Sequence, residues 1–293
     1  MSRPRLAISF SGGRSSAVMT KRCLDKYRAT HEIVVTFANT GCEHPATLDF
    51  VRDCDEHWGF NTVWLEAVVT HGQRVGIRHR IVSYETASRN GEPYEEAVKK
   101  YGVFNVANPK CTSRLKTEVM ESYLLREKHW DTRLAKRDYE TAVGIRADEI
   151  DRISNKQCEY RFVYPLIDMG YTKDMVNAEC RAWPFDLRLP SDAYGNCVWC
   201  WKKSLRKLMT VAKDDPSAFD FPSRLEKQYG QLNAKNDAGL RVFFREGRTA
   251  DDIVRMAQTV PFKPYADSLQ RTIWDELLDM GGACSDGCEV GHE

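Results

Sequence analysis

Short apolar runs alternate with amphipathic stretches along the first part of this 293-residue chain. The apolar runs are rich in β-branched residues and predict buried strands. The stretches between them carry apolar positions at helical spacing and predict helices. The predicted strands are residues 6–10, 33–37 and 62–65, and the predicted helices are residues 16–27 and 44–58. Strand and helix in alternation predict an α/β fold with a doubly wound, mostly parallel sheet of Rossmann-like form.

The pattern becomes less regular further along the chain. Residues 67–110 leave two interpretations open, a substrate lid or a simple surface insertion. A helix at 113–127 and a strand at 141–145 follow, with one more strand candidate at 162–166. Beyond these the pattern changes to helical pieces and cysteine pairs. The expected parts are residues 1–170, which carry the sheet, and residues 171–293, which form a helical region with cysteines.

Composition narrows the class of protein. Hydrophobic residues make up 42% and charged residues 29%, as in an ordinary soluble globular protein, and the net charge of +1 does not by itself indicate a polyanionic partner. No stretch approaches the ~20 apolar residues of a membrane helix, and no secretory signal is evident. We therefore expect a cytoplasmic protein without a membrane partner. Its ten cysteines are then expected to be reduced, and their paired spacings indicate metal or redox chemistry.

A loop rich in serine and glycine joins the first strand to the first helix. Two glycines let the backbone approach an anion closely, and N–H groups at a helix N-terminus supply positive potential. Serine hydroxyls add donors, and Arg14 can add charge-assisted bonds. The alternative is a tight glycine turn with a serine cap. The loop consists of Ser11, Gly12, Gly13, Arg14, Ser15 and Ser16.

Four segments, in order, give the chain a specific resemblance. The loop resembles the PP-loop motif of ATP pyrophosphatases and of the phosphoadenosine phosphosulfate reductase family. Residues 39–47 resemble the segment that lies beside the nucleotide in that family, 111–116 its Cys-x-x-x-Leu-Lys segment, and 144–149 its Gly-Ile-Arg-x-x-Glu turn. The resemblance covers about residues 6–210. It implies a PP-loop nucleotide-binding domain within residues 1–170.

The resemblance implies roles for individual residues. Arg146 and Arg152 would clamp phosphate or sulfate, since a planar guanidinium bonds oxyanions bidentately, but salt bridges to neighbouring carboxylates are the alternative. Lys116 has the same two interpretations. The implied nucleotide-binding residues are Ser11, Gly12, Gly13, Ser15, Ser16, Asn39, Thr40, Gly144, Arg146 and Arg152. The implied catalytic residues are Arg14, Lys116, Arg146 and Cys288.

Two departures from the family pattern bear on the reaction. PP-loop ATP pyrophosphatases often carry Asp where this chain has Ser15, which changes the expected arrangement around Mg²⁺. Sulfonucleotide reductases tend to lose the Ser-Gly-Gly pattern because they do not cleave ATP. This chain keeps the pattern, which favours an enzyme that uses ATP.

The cysteines are the second chemical feature. Cys197 and Cys200 form a CxxC, which places two thiolates on one metal centre with little strain. In related adenylylsulfate reductases a cysteine pair and a later CxxC hold a [4Fe-4S] cluster, and here Cys111 matches one member of that pair. Cys42 would lie near the nucleotide or simply pack. The resemblance thus implies three ligands, Cys111, Cys197 and Cys200, and leaves the fourth open.

Several outcomes are possible for this metal centre. One outcome is a fourth ligand from the tail, Cys284 or Cys288, and another is an open fourth iron that carries a sulfide. Zinc bound by the CxxC and the tail cysteines is the alternative metal, and reduced structural or redox thiols are the alternative without a metal. Cys288 has two further interpretations. Sulfonucleotide reductases end in a segment with the same residue types whose cysteine is a nucleophile, and the other interpretation is a disordered thiol.

These observations favour an ATP-dependent enzyme. It would bind ATP and Mg²⁺, adenylate an acceptor with release of pyrophosphate, and support sulfur transfer with a [4Fe-4S] cluster. The acceptor is a tRNA base, a DNA group or a small molecule, a sulfur donor or reductant protein is a possible partner, and a homodimer is possible. The second hypothesis is a sulfonucleotide reductase in which Cys288 attacks sulfur. The third is a non-enzymatic nucleotide-binding module with a structural metal site.

Overall fold

A computed structural model describes residues 3–72, 76–232 and 240–266 of the chain. Six strands form one sheet in the order β4-β3-β2-β1-β5-β6, and every neighbouring pair is parallel except β3 and β4. The strands are β1 (Arg5–Ser9), β2 (Glu32–Asn39), β3 (Val63–Val69), β4 (Ile77–Val82), β5 (Glu140–Ala142) and β6 (Phe162–Val163). The predicted α/β fold with a doubly wound, mostly parallel sheet is confirmed.

Ten α-helices accompany the sheet within the described residues. Local sequence explains their ends, as in the second helix, where the His44 Nδ1 accepts a hydrogen bond from the Ala46 N–H and Gly59 ends the helix in the left-handed conformation. The helices are α1 (Arg14–Tyr27), α2 (Pro45–Trp58), α3 (Glu92–Tyr101), α4 (Glu118–Arg126), α5 (Gln157–Tyr160), α6 (Pro165–Asp168), α7 (Lys173–Arg181), α8 (Leu205–Asp214), α9 (Asp220–Tyr229) and α10 (Ala250–Thr259). Not one of the helices described here is long and apolar enough to span a membrane.

The two faces of the sheet are covered by two apolar clusters. Alternate residues of β1 point to opposite faces, so Ala7 packs with α3, α4, α8 and α9 while Leu6 and Ile8 pack with α1, α2 and α7. The first cluster also contains residues from both sides of residue 170, among them Tyr94 and Tyr229. The division into residues 1–170 and 171–293 stays a prediction.

Three segments differ from the sequence-based prediction. The irregular stretch after β3 contains an antiparallel edge strand, β4, whose polar residues Arg78, His79 and Arg80 hid the apolar pattern. The strand expected at 141–145 ends at Ala142, after which the Ile145 N–H bonds to the Val143 carbonyl in a tight turn. The helix expected from residue 113 begins with one π-helical turn, Ser113–Thr117, before α4.

The order of the strands creates a crevice beside β1. The chain runs outward from β1 through β2 and β3 and then returns to place β5 on the other side of β1. At such a switch point the loops after two neighbouring parallel strands diverge and leave a cleft at the carboxyl edge of the sheet. Here the loop after β1 is the predicted phosphate loop, and the turn after β5 carries Arg146.

Candidate nucleotide site and cysteine pocket

The loop after β1 requires glycine at one position. Gly12 has φ of +78°, and a Cβ there would lie 2.6 Å from the Thr47 Cγ2 and 3.1 Å from the Val51 Cγ2. The Ser16 hydroxyl closes the loop, because its Oγ accepts from the Ser11 N–H at 3.2 Å and bonds to the Gly13 carbonyl at 3.0 Å. The backbone is therefore held open at the N-terminus of α1, where N–H groups favour an anion.

Arg146 reaches across the crevice to this loop. Its Nη1 donates to the Ser15 Oγ at 3.0 Å, and the residue is only 5% exposed. Its other nitrogens lie 3.0 Å from an Asp148 oxygen and 3.3 Å from a Glu149 oxygen. Arg152 bonds the same Glu149 at 2.6 Å. Both arginines thus form the carboxylate pairs that were the alternative to phosphate binding, and Arg146 also contacts the loop.

Arg14 points to a different partner. Its guanidinium donates to both Asp186 oxygens, at 2.8 and 2.9 Å, and to the Leu187 carbonyl at 2.9 Å. The hydrogen bond to Asp186 raises the pKa of Arg14. The arginine of the loop therefore anchors the segment 186–187, and its predicted role toward phosphate stays a prediction.

The loop, Arg146 and the segment after α7 enclose one pocket. The sequence did not point to several of its lining residues, among them Lys173 and Asp192. The Lys173 Nζ lies 2.5 Å from an Asp192 oxygen. These residues follow residue 170, where short helical pieces gave no pattern that pointed to a site. The pocket is lined by Ser11, Gly12, Gly13, Arg14, Ser15, Thr47, Arg146, Lys173, Val176, Asn177, Leu187, Leu189, Asp192, Gly195 and Asn196.

Other predicted nucleotide residues lie outside this lining. The Asn39 amide donates to Glu66 at 2.7 Å and to the Ser88 carbonyl at 2.9 Å, so it ties the end of β2 to its neighbours. Thr40 Oγ donates to the Glu43 carboxylate at 2.8 Å. Gly144, Arg152 and Lys116 also stand outside the lining, and their part in binding or catalysis stays a prediction.

The three cysteines predicted as ligands line a single pocket. Cys111 comes from the segment before α4, and Cys197 and Cys200 come from a turn in which the Cys200 N–H bonds to the Cys197 carbonyl at 3.0 Å. Thr40 and Lys116 belong to the same lining, as do the apolar walls Tyr94, Thr112, Leu115, Trp199 and Trp201. Asn196 lines this pocket and the loop pocket alike.

Cys42 stands beside this pocket, a position that sequence reasoning did not assign. Its carbonyl accepts from the Val198 N–H at 2.9 Å, and the neighbouring Glu43 pairs with Cys197 in an isolated antiparallel bridge. The Thr40 Oγ lies 3.5 Å from the Cys197 Sγ. Cys42 is 8% exposed, and this burial raises the pKa of its thiol well above the usual value.

Comparison with known proteins agrees with this geometry. Residues 5–172 match the phosphoadenosine phosphosulfate reductase domain, which is more than half of the chain. The chain belongs to the phosphoadenosine phosphosulfate reductase family. Membership indicates a nucleotide-using enzyme. The chain is also 29% identical over 287 residues to the "Uncharacterized nin region protein ORF290" of Escherichia phage lambda, and the match covers 97% of this chain and 94% of the phage protein.

The arrangement of the cysteines can be compared with the geometry that a metal centre requires. Within the described ranges, no three His, Cys, Asp or Glu side chains lie in an arrangement that could hold a single metal ion. One zinc ion holds its thiolates at ~2.3 Å from one point, whereas each thiolate of a [4Fe-4S] cluster binds its own iron and stands further away. Trp201 Nε1, on the lining, is buried without a hydrogen-bond partner among the described residues. Metal-bound sulfur is an acceptor of the kind that this N–H lacks, so the lining is chemically suited to a sulfur-ligated centre such as an iron–sulfur cluster.

One further cavity adjoins the cysteine pocket of this reductase-family chain. It is an open groove of about 710 Å³ on the turn between β2 and α2. Trp199 lines both the groove and the cysteine pocket. Burial lowers the pKa of His44, which also lines the groove, and its Nδ1 already accepts the Ala46 N–H. Cys288 and Cys284, the predicted tail thiols, lie outside the described residues.

Proposed function

We propose that this protein is an ATP-dependent adenylating enzyme that supports sulfur transfer. The observation that carries the proposal is the glycine–serine loop at the switch point of the sheet, bonded to the buried Arg146 from the opposite wall. A loop retained in this form, with backbone N–H groups and hydroxyls around a pocket, suits the phosphates of ATP. Membership of the family supports a nucleotide-using enzyme, and the form of the loop supports ATP as the nucleotide.

The reaction has two displacements. First an acceptor oxygen attacks the α-phosphorus, the bond from that phosphorus to the bridging oxygen breaks, and pyrophosphate leaves. Then a sulfur nucleophile from a donor, a hydrosulfide or a persulfide, attacks the acceptor carbon, and the carbon–oxygen bond breaks with release of AMP. After attack by a persulfide, a second thiol of the donor breaks the sulfur–sulfur bond, which frees the thiolated product and leaves the donor as a disulfide. Adenylation thus turns a poor leaving group into a good one.

The residues of the loop pocket suit the first displacement. Charge develops on the departing pyrophosphate, and donors fixed before the reaction stabilise that charge most effectively. The Ser11 hydroxyl is held by its bond to the Ser16 hydroxyl, and the Ser15 hydroxyl and the Arg146 guanidinium hold each other. Mg²⁺ prefers oxygen ligands and enters with the triphosphate, and Asp192 and Ser15 are the oxygen donors on the lining that would meet it.

The cysteine pocket suits the sulfur half of the reaction. When bound, a [4Fe-4S] cluster supplies electron storage or sulfide carriage. Cys111, Cys197 and Cys200 would hold it, and Asn196 connects their pocket to the loop pocket. The open groove beside Trp199 is where we place the acceptor, a tRNA base, a DNA group or a small molecule.

The test is ATP–pyrophosphate exchange by the anaerobically purified full chain with candidate acceptors. We expect exchange that depends on Mg²⁺ and falls at least tenfold in Arg146→Ala. Arg133→Ala is the matched control, because Arg133 is an exposed arginine whose partner is the neighbouring Asp131. Tight ATP binding with no exchange and no AMP formation for any acceptor would favour the non-enzymatic module instead.

The family match itself favours a second candidate, a sulfonucleotide reductase. In that reaction the Cys288 thiolate attacks the sulfur of a bound sulfonucleotide, the sulfur–oxygen bond to the phosphate breaks, and the nucleotide leaves. A dithiol reductant then releases sulfite. Sulfite release from a sulfonucleotide, abolished in Cys288→Ser, would establish this candidate over the first. Unchanged activity in Cys288→Ser would exclude it.

A further inference from the structure

We propose that Cys42 is the fourth thiolate of the cysteine pocket, so that Cys42, Cys111, Cys197 and Cys200 together bind one iron–sulfur cluster that has no open iron. The inference rests on the proposed function only in taking the cluster to be the metal centre. The proposed cluster differs from one whose fourth ligand is a tail cysteine, and from one whose fourth iron is open and carries a sulfide.

The backbone fixes Cys42 beside the CxxC turn. Glu43 and Cys197 face each other in an antiparallel bridge, and the Val198 N–H bonds to the Cys42 carbonyl at 2.9 Å. Cys42 belongs to the apolar cluster against which Cys197 packs. The turn after β2 therefore brings Cys42 next to the CxxC turn.

One buried side chain links the four cysteines. Tyr94 is 2% exposed, lines the pocket together with Cys111, Cys197 and Cys200, and belongs to the same apolar cluster as Cys42. The Cys42 carbonyl is bonded to Val198, inside the CxxC. Four thiols from three separate segments thus meet in one region of the core, where a cubane cluster can bridge them, each thiolate taking a separate iron.

Charge and hydrogen-bonding groups at the pocket suit an anionic cluster. Lys203 is 4% exposed, and its Nζ bonds to the Ala193 carbonyl and, at 2.7 Å, to the Val198 carbonyl inside the CxxC turn. A buried ammonium is stabilised by a nearby negative charge, which a cluster with four thiolates provides. The buried Trp201 N–H adds a donor, and such donors to cluster sulfur tune the reduction potential.

A cluster held by four cysteines has a consequence for the reaction. No iron is left to carry a sulfide, so the sulfur that displaces AMP must come from an outside donor. The cluster would then hold the turn after β2 against the CxxC turn, or exchange electrons.

The experiment compares four full-length proteins purified and reconstituted anaerobically. They are the unaltered chain, Cys42→Ser, the exposed-thiol control Cys158→Ser, and the tail double variant Cys284→Ser/Cys288→Ser. Iron, acid-labile sulfide and the electron paramagnetic resonance spectrum are measured for each, before and after mild oxidation. We expect about four irons per chain in all but Cys42→Ser, which should lose iron and convert on oxidation to a three-iron cluster.

Several results would overturn the inference. They are an unaltered chain that takes up no iron, a Cys42→Ser protein that keeps the full cluster, and a tail variant that loses iron instead. A measurement without variants guards against misfolding: cyanide or sulfide added to the reduced cluster of the unaltered chain should leave its spectrum unchanged, whereas an open iron would shift it. ATP–pyrophosphate exchange is recorded on the same samples. Exchange without iron defeats this inference alone, and iron without exchange defeats the proposed function alone.

Discussion

The guanidinium of Arg146 donates to the hydroxyl of Ser15 across the crevice, at 3.0 Å. This bond joins the turn after β5 to the loop after β1, and both flank the switch point of the sheet. Asp148 and Glu149 hold the same guanidinium from behind. The positive charge is thus fixed at the pocket wall before any ligand arrives.

Replacing Arg146 by Lys should weaken ATP binding by about tenfold or more. Lysine keeps the charge but lacks the planar fork, so it cannot bond Ser15 and the carboxylates at the same time. About 1.4 kcal/mol of lost binding corresponds to that factor. Titration calorimetry with ATP and Mg²⁺ gives the affinity, and Arg133→Lys should bind as the unaltered protein does. An equal loss in both variants would contradict the assigned role.

Gly12→Ala should destabilise the protein more than Gly170→Ala. Both glycines have positive φ, of +78° and +69°, so alanine costs roughly 1–2 kcal/mol at either position. At Gly12 the new Cβ would also meet the Thr47 methyl at 2.6 Å, whereas nothing lies within 4 Å at Gly170. Overpacking of this kind adds roughly 1–3 kcal/mol. Urea unfolding measures both, and equal losses would show that the loop relaxes around the methyl group.

Asp186→Asn should strengthen ATP binding while lowering stability. Asp186 neutralises Arg14 at the wall of the loop pocket, and the amide removes this nearer negative charge while Asp192 stays 4.0 Å away. The pair is partly exposed, so the change in affinity should be modest, roughly two- to fivefold. The effect should shrink as salt is raised, because salt screens exposed charges. Weaker ATP binding in Asp186→Asn would mean that the pair itself shapes the pocket.

Because Glu226 titrates, the free energy of unfolding should fall as the pH rises from about 4.5 to about 7. Burial raises the pKa of Glu226 to about 7, although the hydrogen bonds that its carboxylate accepts from the Ala250 and Phe243 N–H groups act in the opposite direction. A carboxyl with a raised pKa binds its proton more tightly in the folded state. Its stabilising contribution is therefore complete below the unfolded pKa and is lost as the pH rises through about 7.

The size of this fall should be of order 3 kcal/mol, since each pKa unit between 4.5 and about 7 corresponds to about 1.36 kcal/mol. Urea unfolding at closely spaced pH values measures it in the unaltered protein and in Glu226→Gln. The glutamine variant should show a flatter profile in this window. Glu56→Gln, at an exposed carboxylate, should keep the slope. A slope that persists in Glu226→Gln would assign the titration to another group.

The sequence predicted the sheet and the phosphate loop because both depend on local pattern. The apolar run of β1, the two glycines and the amphipathic α1 follow one another directly in the chain. The four motifs of the family also identified Arg146 and the three pocket cysteines, Cys111, Cys197 and Cys200. That these cysteines meet depends on the long-range packing of α3, α4 and α8, and only the structure brings them together.

Other features could not be read from the chain. The strand β4 shows no apolar pattern because it is an edge strand, where Arg78 and Arg80 face outward and Arg80 bonds the buried Glu66. Lys173 and Asp192 join the pocket only through the path of the chain after residue 170. The sequence left Cys42 either beside the nucleotide or simply packed, because its bond to the Val198 backbone joins distant parts of the chain.

Asn196 lines both pockets, and that position allows thermodynamic linkage between them. If an occupant of the loop pocket shifts this residue, the free energy of the cysteine pocket changes by a definite amount. By reciprocity, a change of charge in the cysteine pocket must then alter nucleotide affinity by the same amount. The redox state of the cluster that we propose would be expressed as a binding constant, and the nucleotide as a midpoint potential.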